Sequence, residues 1–313
     1  MLLYGTPANP VPEGAMLHEI IADDGVHLRA ARWMGRGTER GTVALFHGRC
    51  EFIEKHFEVV EDLRARGFAV ASLDWRGQGG SDRLLSTRLK GHVDSFAHYQ
   101  RDVNAFIRSV LPLCPPPYYA LTHSMGGLVL LQSLLRGPTP FTRMVLETPL
   151  LGLSVVPLQS LTRPLIALLA RCGLGHALPP GATLRPVTEI PFSRNFSTSD
   201  PERYARIADM VRLYPLLGLG PPTLGWVDAA FTAMAEVARM ENMVRIQTPL
   251  RLIAGGNDKL ISNPAISRLA AHCPTADLVV IAGARHEILT ERDEYRARFW
   301  AAFDDFIPGP SGG

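Results

Sequence analysis

The run from Tyr118 to Leu130, YYALTHSMGGLVL, reads as a short apolar strand, an abrupt turn and an apolar helix. A serine at such a turn has its hydroxyl pushed clear of the backbone, beside the unpaired N–H groups and positive potential of a helix N-terminus. Ser124 is therefore a candidate nucleophile. Its surroundings depart from Gly-x-Ser-x-Gly at the first position, where Thr122 stands in place of glycine. The turn alone would pass for an ordinary strand–helix connection, so a base and an acid must be found elsewhere. Serine needs a base to take its proton, and the base needs an acid that orients it and stabilises the imidazolium formed during attack. On an open parallel sheet these groups arrive in the order Ser, Asp/Glu, His, each at the C-terminal end of a strand. Asp258 follows the apolar run Leu250 to Ala254, and His286 follows Leu278 to Ile281, so both meet the order.

Ten histidines call for a reason to reject the rivals. His272 closes a helix at the far end of its strand, His123 adjoins the nucleophile and cannot fold back onto it, and His92 precedes it. Among the acids, Asp277 begins a strand and faces the wrong edge, while Glu287 neighbours the base itself. A tetrahedral oxyanion needs two preorganised N–H donors, commonly one just after the nucleophile and one from the loop after the first inner strand. Met125 and Arg49 hold those positions. Only their backbones are required, which leaves the Arg49 side chain for another role. The first reading is a surface ion pair with Glu51; the second is contact with a phosphate or other anion on the substrate.

The elements that must position these groups alternate. Leu17 to Ile21 and Val26 to Trp33 flank an Asp-Gly hairpin signal and imply an antiparallel edge pair. Val43 to Phe46 is a continuous apolar run, as in a strand buried on both faces. A helix over Glu54 to Arg66, a strand over Phe68 to Leu73, an amphipathic helix over Ser95 to Leu111, then strand, turn, helix and strand through Leu146 call for a parallel sheet with right-handed crossovers. The Gly-rich loop Asp74 to Ser81 fits neither nucleotide-binding spacing. From Pro149 the alternation stops, and residues 149–246 read as helices separated by Pro/Gly clusters. The division expected is a core over 1–148 and 247–313 carrying a helical cap over 149–246. Within that cap the apolar stretch holding Leu165, Ile166, Leu168 and Leu169 reads first as a buried helix and second as a lid surface facing an acyl chain.

Composition excludes several classes. A net charge of +2 over 313 residues gives no nucleic-acid footprint, and 46% hydrophobic with 20% charged residues is ordinary for a globular protein. Four scattered cysteines without a C-x-x-C pair argue against a metal site or disulfide framework and read as buried free thiols in a reducing compartment. The N-terminus has no basic segment ahead of an apolar run, and no stretch of about 20 apolar residues would span a bilayer. A cytoplasmic protein is expected, with any membrane contact peripheral.

Taken together FHGRCE, DWRGQGGSD, GHVDSF, THSMGG, GLGPPTLGW, GGNDKLIS and RHEILTERD resemble the serine α/β-hydrolases of the bacterial lysophospholipase and monoacylglycerol lipase group, from about Val43 to Phe303. The resemblance implies an α/β-hydrolase fold, a mostly parallel twisted sheet with helices on both faces and a helical cap over an apolar tunnel. It implies Ser124, Asp258 and His286 as a catalytic triad, the Arg49 and Met125 amides as an oxyanion hole, and Arg49 with Trp226 as substrate contacts. Neither cofactor nor metal is implied. The substrate implied is a lipid ester carrying one acyl chain; apart from the resemblance, any membrane contact is expected to be peripheral and through the cap. Hydrolysis of small esters or thioesters, and a catalytically silent binding module, are the alternatives. Haloalkane dehalogenase and epoxide hydrolase chemistry is disfavoured, because their nucleophiles are aspartates.

Overall fold

Runs that are apolar on both faces can be satisfied only inside a sheet covered by helices on each side, and that is their position here. The computed structural model describes residues 1–37, 40–156 and 159–308. Its eight strands are β1 (Met16–Ile21), β2 (His27–Trp33), β3 (Thr42–Phe46), β4 (Ala69–Leu73), β5 (Tyr118–His123), β6 (Phe141–Glu147), β7 (Leu250–Gly255) and β8 (Ala276–Ile281). They form one sheet in the order β1-β2-β4-β3-β5-β6-β7-β8. The Asp-Gly hairpin places β1 and β2 at one edge, antiparallel to each other and to β4, and the remaining strands run parallel.

Side chains of β3 show why both faces are covered. Ala44 and Phe46 enter one apolar cluster, whereas Val43 and Leu45 enter the other. The first cluster is built with helices α2 (Ala97–Ser109) and α3 (Met125–Arg136), the second with α1 (Phe57–Ala65) and α9 (Asp293–Phe306). The period of two along the strand sends alternate residues to opposite layers.

The insertion holds α4 (Gln159–Leu169), α5 (Pro201–Leu213), α6 (Leu224–Val237) and the short α7 (Met240–Met243), before α8 (Asn263–His272) returns to the sheet. Asp200 caps α5, accepting from the Glu202 and Arg203 amides at 2.9 Å each, with Pro201 at the first helical position. Trp226, Ala230, Phe231 and Val237 of α6 join the same apolar cluster as α2 and α3, so the second half of the insertion is continuous with the main core. Its first half is not buried as the sequence suggested. Leu161, Leu165 and Leu168 are 67, 55 and 58% exposed, one face of α4 at i, i+4 and i+7, while Ile166 packs inward. The cause is that α6 offers α4 one face to cover, leaving the other to solvent. Of the four unpaired cysteines, Cys114 and Cys273 are buried, Cys50 is half-buried, and Cys172, expected to be buried, is exposed beyond α4.

No helix among the described residues is long and apolar enough to cross a membrane.

Candidate active site

The turn after β5 carries the strain that a sharp strand-to-helix reversal demands. Ser124 has φ 50° and ψ −111°, and its backbone is bound on every side: its N–H donates to the Glu147 carbonyl at 3.0 Å, and its carbonyl accepts from Leu150 at 3.0 Å and Gly127 at 3.1 Å. Among the described residues the non-glycine residues with positive φ are Cys50 (64°), Ser124 (50°) and Thr148 (40°), which lie in the turns following β3, β5 and β6. Each such conformation costs about 1–3 kcal/mol and persists only where surrounding structure holds it.

Thr122 fits without displacing the turn. It pairs with Phe46 and Leu146 in the sheet centre and is fully buried. Gly127 makes the room, since a β-carbon there would stand 3.1 Å from Thr122 Oγ1 and 2.9 Å from Pro149. The Thr122 hydroxyl has no hydrogen-bond partner among the described residues. Gly126 is required for a different approach: a β-carbon at that position would collide with the Phe46 carbonyl, so the helix could not seat against β3.

Asp258 and His286 meet across the turns after β7 and β8, with His286 Nδ1 2.8 Å from Asp258 Oδ2. The second oxygen of Asp258 accepts from the Leu260 amide at 2.8 Å and the Ile261 amide at 3.0 Å. Burial alone would raise this carboxyl; the His286 bond and the two amides outweigh it and hold its pKa below the ordinary value. The His286 turn is held in turn by Thr148, whose hydroxyl donates to the His286 carbonyl at 2.9 Å, and by the buried Glu291, which accepts from the Arg285 amide at 3.0 Å and the Ser199 amide at 2.9 Å. His286 is buried at 3% exposure and Ser124 at 8%.

The loop after β3 lies against the nucleophile. A β-carbon on Gly48 would stand 3.2 Å from Ser124 Cβ and 2.9 Å from His123 Nδ1. Gly48 donates its N–H to Glu51, and Cys50 donates to Gln78 Oε1 at 2.7 Å, while Gln78 Nε2 reaches back to the Gly48 carbonyl at 3.4 Å. Between these braced residues the Arg49 amide is free, as is that of Met125, among the described residues. Gln78 comes from the Gly-rich loop after β4. Of that loop's amides Gly80 donates to its own Asp74 at 2.7 Å, and the same carboxylate accepts from the Ile53 amide at 2.9 Å and the Arg29 guanidinium at 2.7 Å. Gly79, where a β-carbon would collide with Asp74, and Gly80 thus close around a carboxylate of the protein.

Behind the site lies a buried cluster that sequence reasoning missed. Glu51 meets Lys55 at 2.7 Å, His56 at 3.2 Å and His123 Nδ1 at 3.0 Å, the last off the line of a hydrogen bond. Lys55 also meets Glu287 at 2.8 Å, and the His123 ring lies 4.8 Å from that of His286. Burial alone would lower the His123 pKa; the Glu51 and Glu147 carboxylates overcome it and raise it to about 9. Burial raises Glu147 to about 7. The only signal was a run of charged residues after an apolar strand, a pattern that ordinarily marks a solvated face.

The same cluster corrects the first reading of Arg49. Glu51 has its oxygens occupied, and the Arg49 guanidinium instead donates to the Gly220 carbonyl and lies 5.2 Å from the Trp226 ring centre. Trp226 is 6% exposed, with its indole N–H on the Tyr99 hydroxyl at 3.1 Å, so its ring supports Arg49 from within the seam between core and cap.

Against known proteins, residues 37–293 match the model of the serine aminopeptidase S33 family. The lysophospholipase L2 of Escherichia coli K12 is 30% identical over 302 residues, covering 92% of this chain and 86% of the relative. The monoglyceride lipase of Rattus norvegicus is 27% identical over 294 residues, covering 92% and 88%. A crystal structure of a soluble variant of the Saccharomyces cerevisiae monoglyceride lipase, in complex with a substrate analogue, superposes with a TM-score of 0.74 at 20% identity, covering 95% of each chain, and shares the fold.

Proposed function

The chain belongs to the serine aminopeptidase S33 family, and we propose that it is a serine carboxylester hydrolase that cleaves lipid esters carrying one acyl chain, lysophospholipids or monoacylglycerols, through an acyl-enzyme. The observation that carries this reading is the convergence of Ser124, the Asp258–His286 pair and two unbonded amides at the C-terminal ends of β3, β5, β7 and β8. Ser124 Oγ attacks the ester carbonyl as its proton passes to His286 Nε2, and the oxygen that gains charge accepts from the Arg49 and Met125 amides. Collapse expels the alcohol, which leaves with the proton from His286. Water, deprotonated by the same nitrogen, then attacks the acyl-enzyme and releases the fatty acid and Ser124. Asp258 keeps the His286 ring in the tautomer that presents Nε2 and stabilises the imidazolium. The preference for lipid esters over peptides rests on the relatives, which over nine-tenths of this chain are named for lysophospholipids and monoglycerides.

The cap supports contact with a lipid surface. The exposed Leu161, Leu165 and Leu168 present one apolar stripe to solvent, of the kind that meets a membrane or micelle. A fluorophosphonate probe is expected to label the protein and to fail on Ser124→Ala, which also loses hydrolysis of both lipid esters by a factor of at least about a thousand. Folded protein that takes no label would remove the proposal.

A further inference from the structure

Most buried guanidinium groups of the core meet carboxylates. Arg29 pairs with Glu54 and Asp74, Arg76 with Asp24 and Asp102, and Arg296 with Glu58 and Asp62. Along the seam between core and cap the pattern changes. Arg49 donates to the Gly220 carbonyl, Arg83 to Leu216 at 2.8 Å and Gly218 at 3.2 Å, and Arg88 to Leu216 at 3.4 Å. Three guanidinium groups thus line one short run of cap backbone, residues 216–220, and among the described residues none of the three has an ion pair. Arginines that donate only to carbonyls occur elsewhere in twos, Arg40 with Arg143 on residues 306–308 and Arg285 with Arg292 on residues 195–199; at the seam there are three.

Carbonyl contacts seat these side chains without neutralising them. The Nε atoms of Arg49 and Arg83 are both buried and lack any partner. Burial, and then the neighbouring Arg88 cation, push the Arg83 guanidinium down to about 10, the direction expected of a cation short of an anion. Uncompensated like charges held side by side are unfavourable, and a bound anion would relieve all three. Guanidinium forks are suited to phosphate, which accepts several hydrogen bonds at once.

The location gives the anion a place in the reaction. The Arg49 amide is the oxyanion donor proposed above, while its side chain leads away over Trp226 to the Gly220 carbonyl, on the run of cap backbone that Arg83 and Arg88 also meet. In a lysophospholipid a glycerol unit separates ester from phosphate, much as the arginine stem separates amide from guanidinium. We infer that Arg49, Arg83 and Arg88 form a subsite for the phosphodiester of a lysophospholipid head group, on the alcohol side of the ester, and so select lysophospholipid over monoacylglycerol. This rests on the lipid-ester reading above.

The test compares kcat/KM on lysophosphatidylglycerol and on a monoacylglycerol of the same chain length. In the Arg83→Gln/Arg88→Gln variant the ratio of the two is expected to fall at least about tenfold, mainly through KM for the phospholipid, the size of losing charge-assisted contacts. Arg83→Lys/Arg88→Lys, which keeps charge but not the fork, should recover part of it. An unchanged ratio, including equal losses on both substrates, overturns the subsite and leaves the arginines as straps holding the cap. If the wild type turns over neither lipid, the ester reading fails instead. The subsite is then read from sn-glycerol 3-phosphate at millimolar concentration, which should raise the Tm of the wild type and not of the double variant; no shift in the wild type overturns it.

Discussion

The two sides of Ser124 use charge in opposite ways. Behind it, the buried Glu51, Lys55, His56 and His123 and the half-buried Glu287 form one network of contacts. Toward the cap, Arg49, Arg83 and Arg88 donate only to carbonyls and have no ion pair among the described residues, and Arg88 reaches solvent. The cluster is saturated in charge, each cation meeting a carboxylate, although His56 Nδ1 and both ring nitrogens of His123 lack hydrogen-bond partners among the described residues, and it holds its neighbours still. Through Gly48 it fixes the loop that carries the Arg49 amide, and through His123 it backs the His286 ring. The unsaturated side retains capacity for a ligand. Position and recognition are thus assigned to different faces of the site.

The comparison can be broken by removing one charge from the saturated side. Glu51→Gln leaves Lys55 and His123 buried with too little negative charge, and is expected to lower stability by about 3–5 kcal/mol in urea denaturation. Arg88→Gln, on the open side, should change it by less than about 0.5 kcal/mol. Equal effects would mean that the two sides are not distinct.

A smaller effect follows from pH. His123 has a folded pKa of about 9 against about 6.5 when unfolded, so its contribution is complete below pH 6.5 and is lost as pH rises through 9. Between pH 8 and 9.5, above most of the range in which Glu147 titrates, the wild type should lose about 1 kcal/mol that His123→Gln does not lose. Parallel pH curves for the two proteins would show that His123 is not held as a cation. The smallest effect concerns the strained turn between the two sides. Because the Thr122 hydroxyl is buried and unpartnered, Thr122→Val is expected to raise stability by about 1 kcal/mol and leave kcat within about threefold, measured by thermal unfolding and ester hydrolysis. A loss of stability would reveal an acceptor for that hydroxyl.

Much of the architecture was legible because it depends on local pattern. The strand–turn–helix around Ser124, the helix Met125–Arg136, and the turns that bear Asp258 and His286 lie where period, glycines and strand order place them. The exposure of Leu161, Leu165 and Leu168 was not legible, since an apolar helical stripe looks the same whether a partner covers it or not. Nor was the fate of Glu51. Its neighbours Lys55 and His56 are close in sequence, but His123 and Glu287 are 72 and 236 positions away, His123 at the end of the neighbouring β5 and Glu287, joined through Lys55, after β8 at the far edge of the sheet.

By itself the sequence determined the order of elements and the reactive residue types at the strand ends, because hydrophobic period and turn chemistry act over a few residues. Only the tertiary structure decided which charges meet. Arg49 and Glu51 are two positions apart, yet the backbone turn at Cys50, φ 64°, directs Arg49 toward Trp226 and the cap, and Glu51 inward to Lys55 and His123. Ion pairing is a property of distance in space, which sequence separation does not measure.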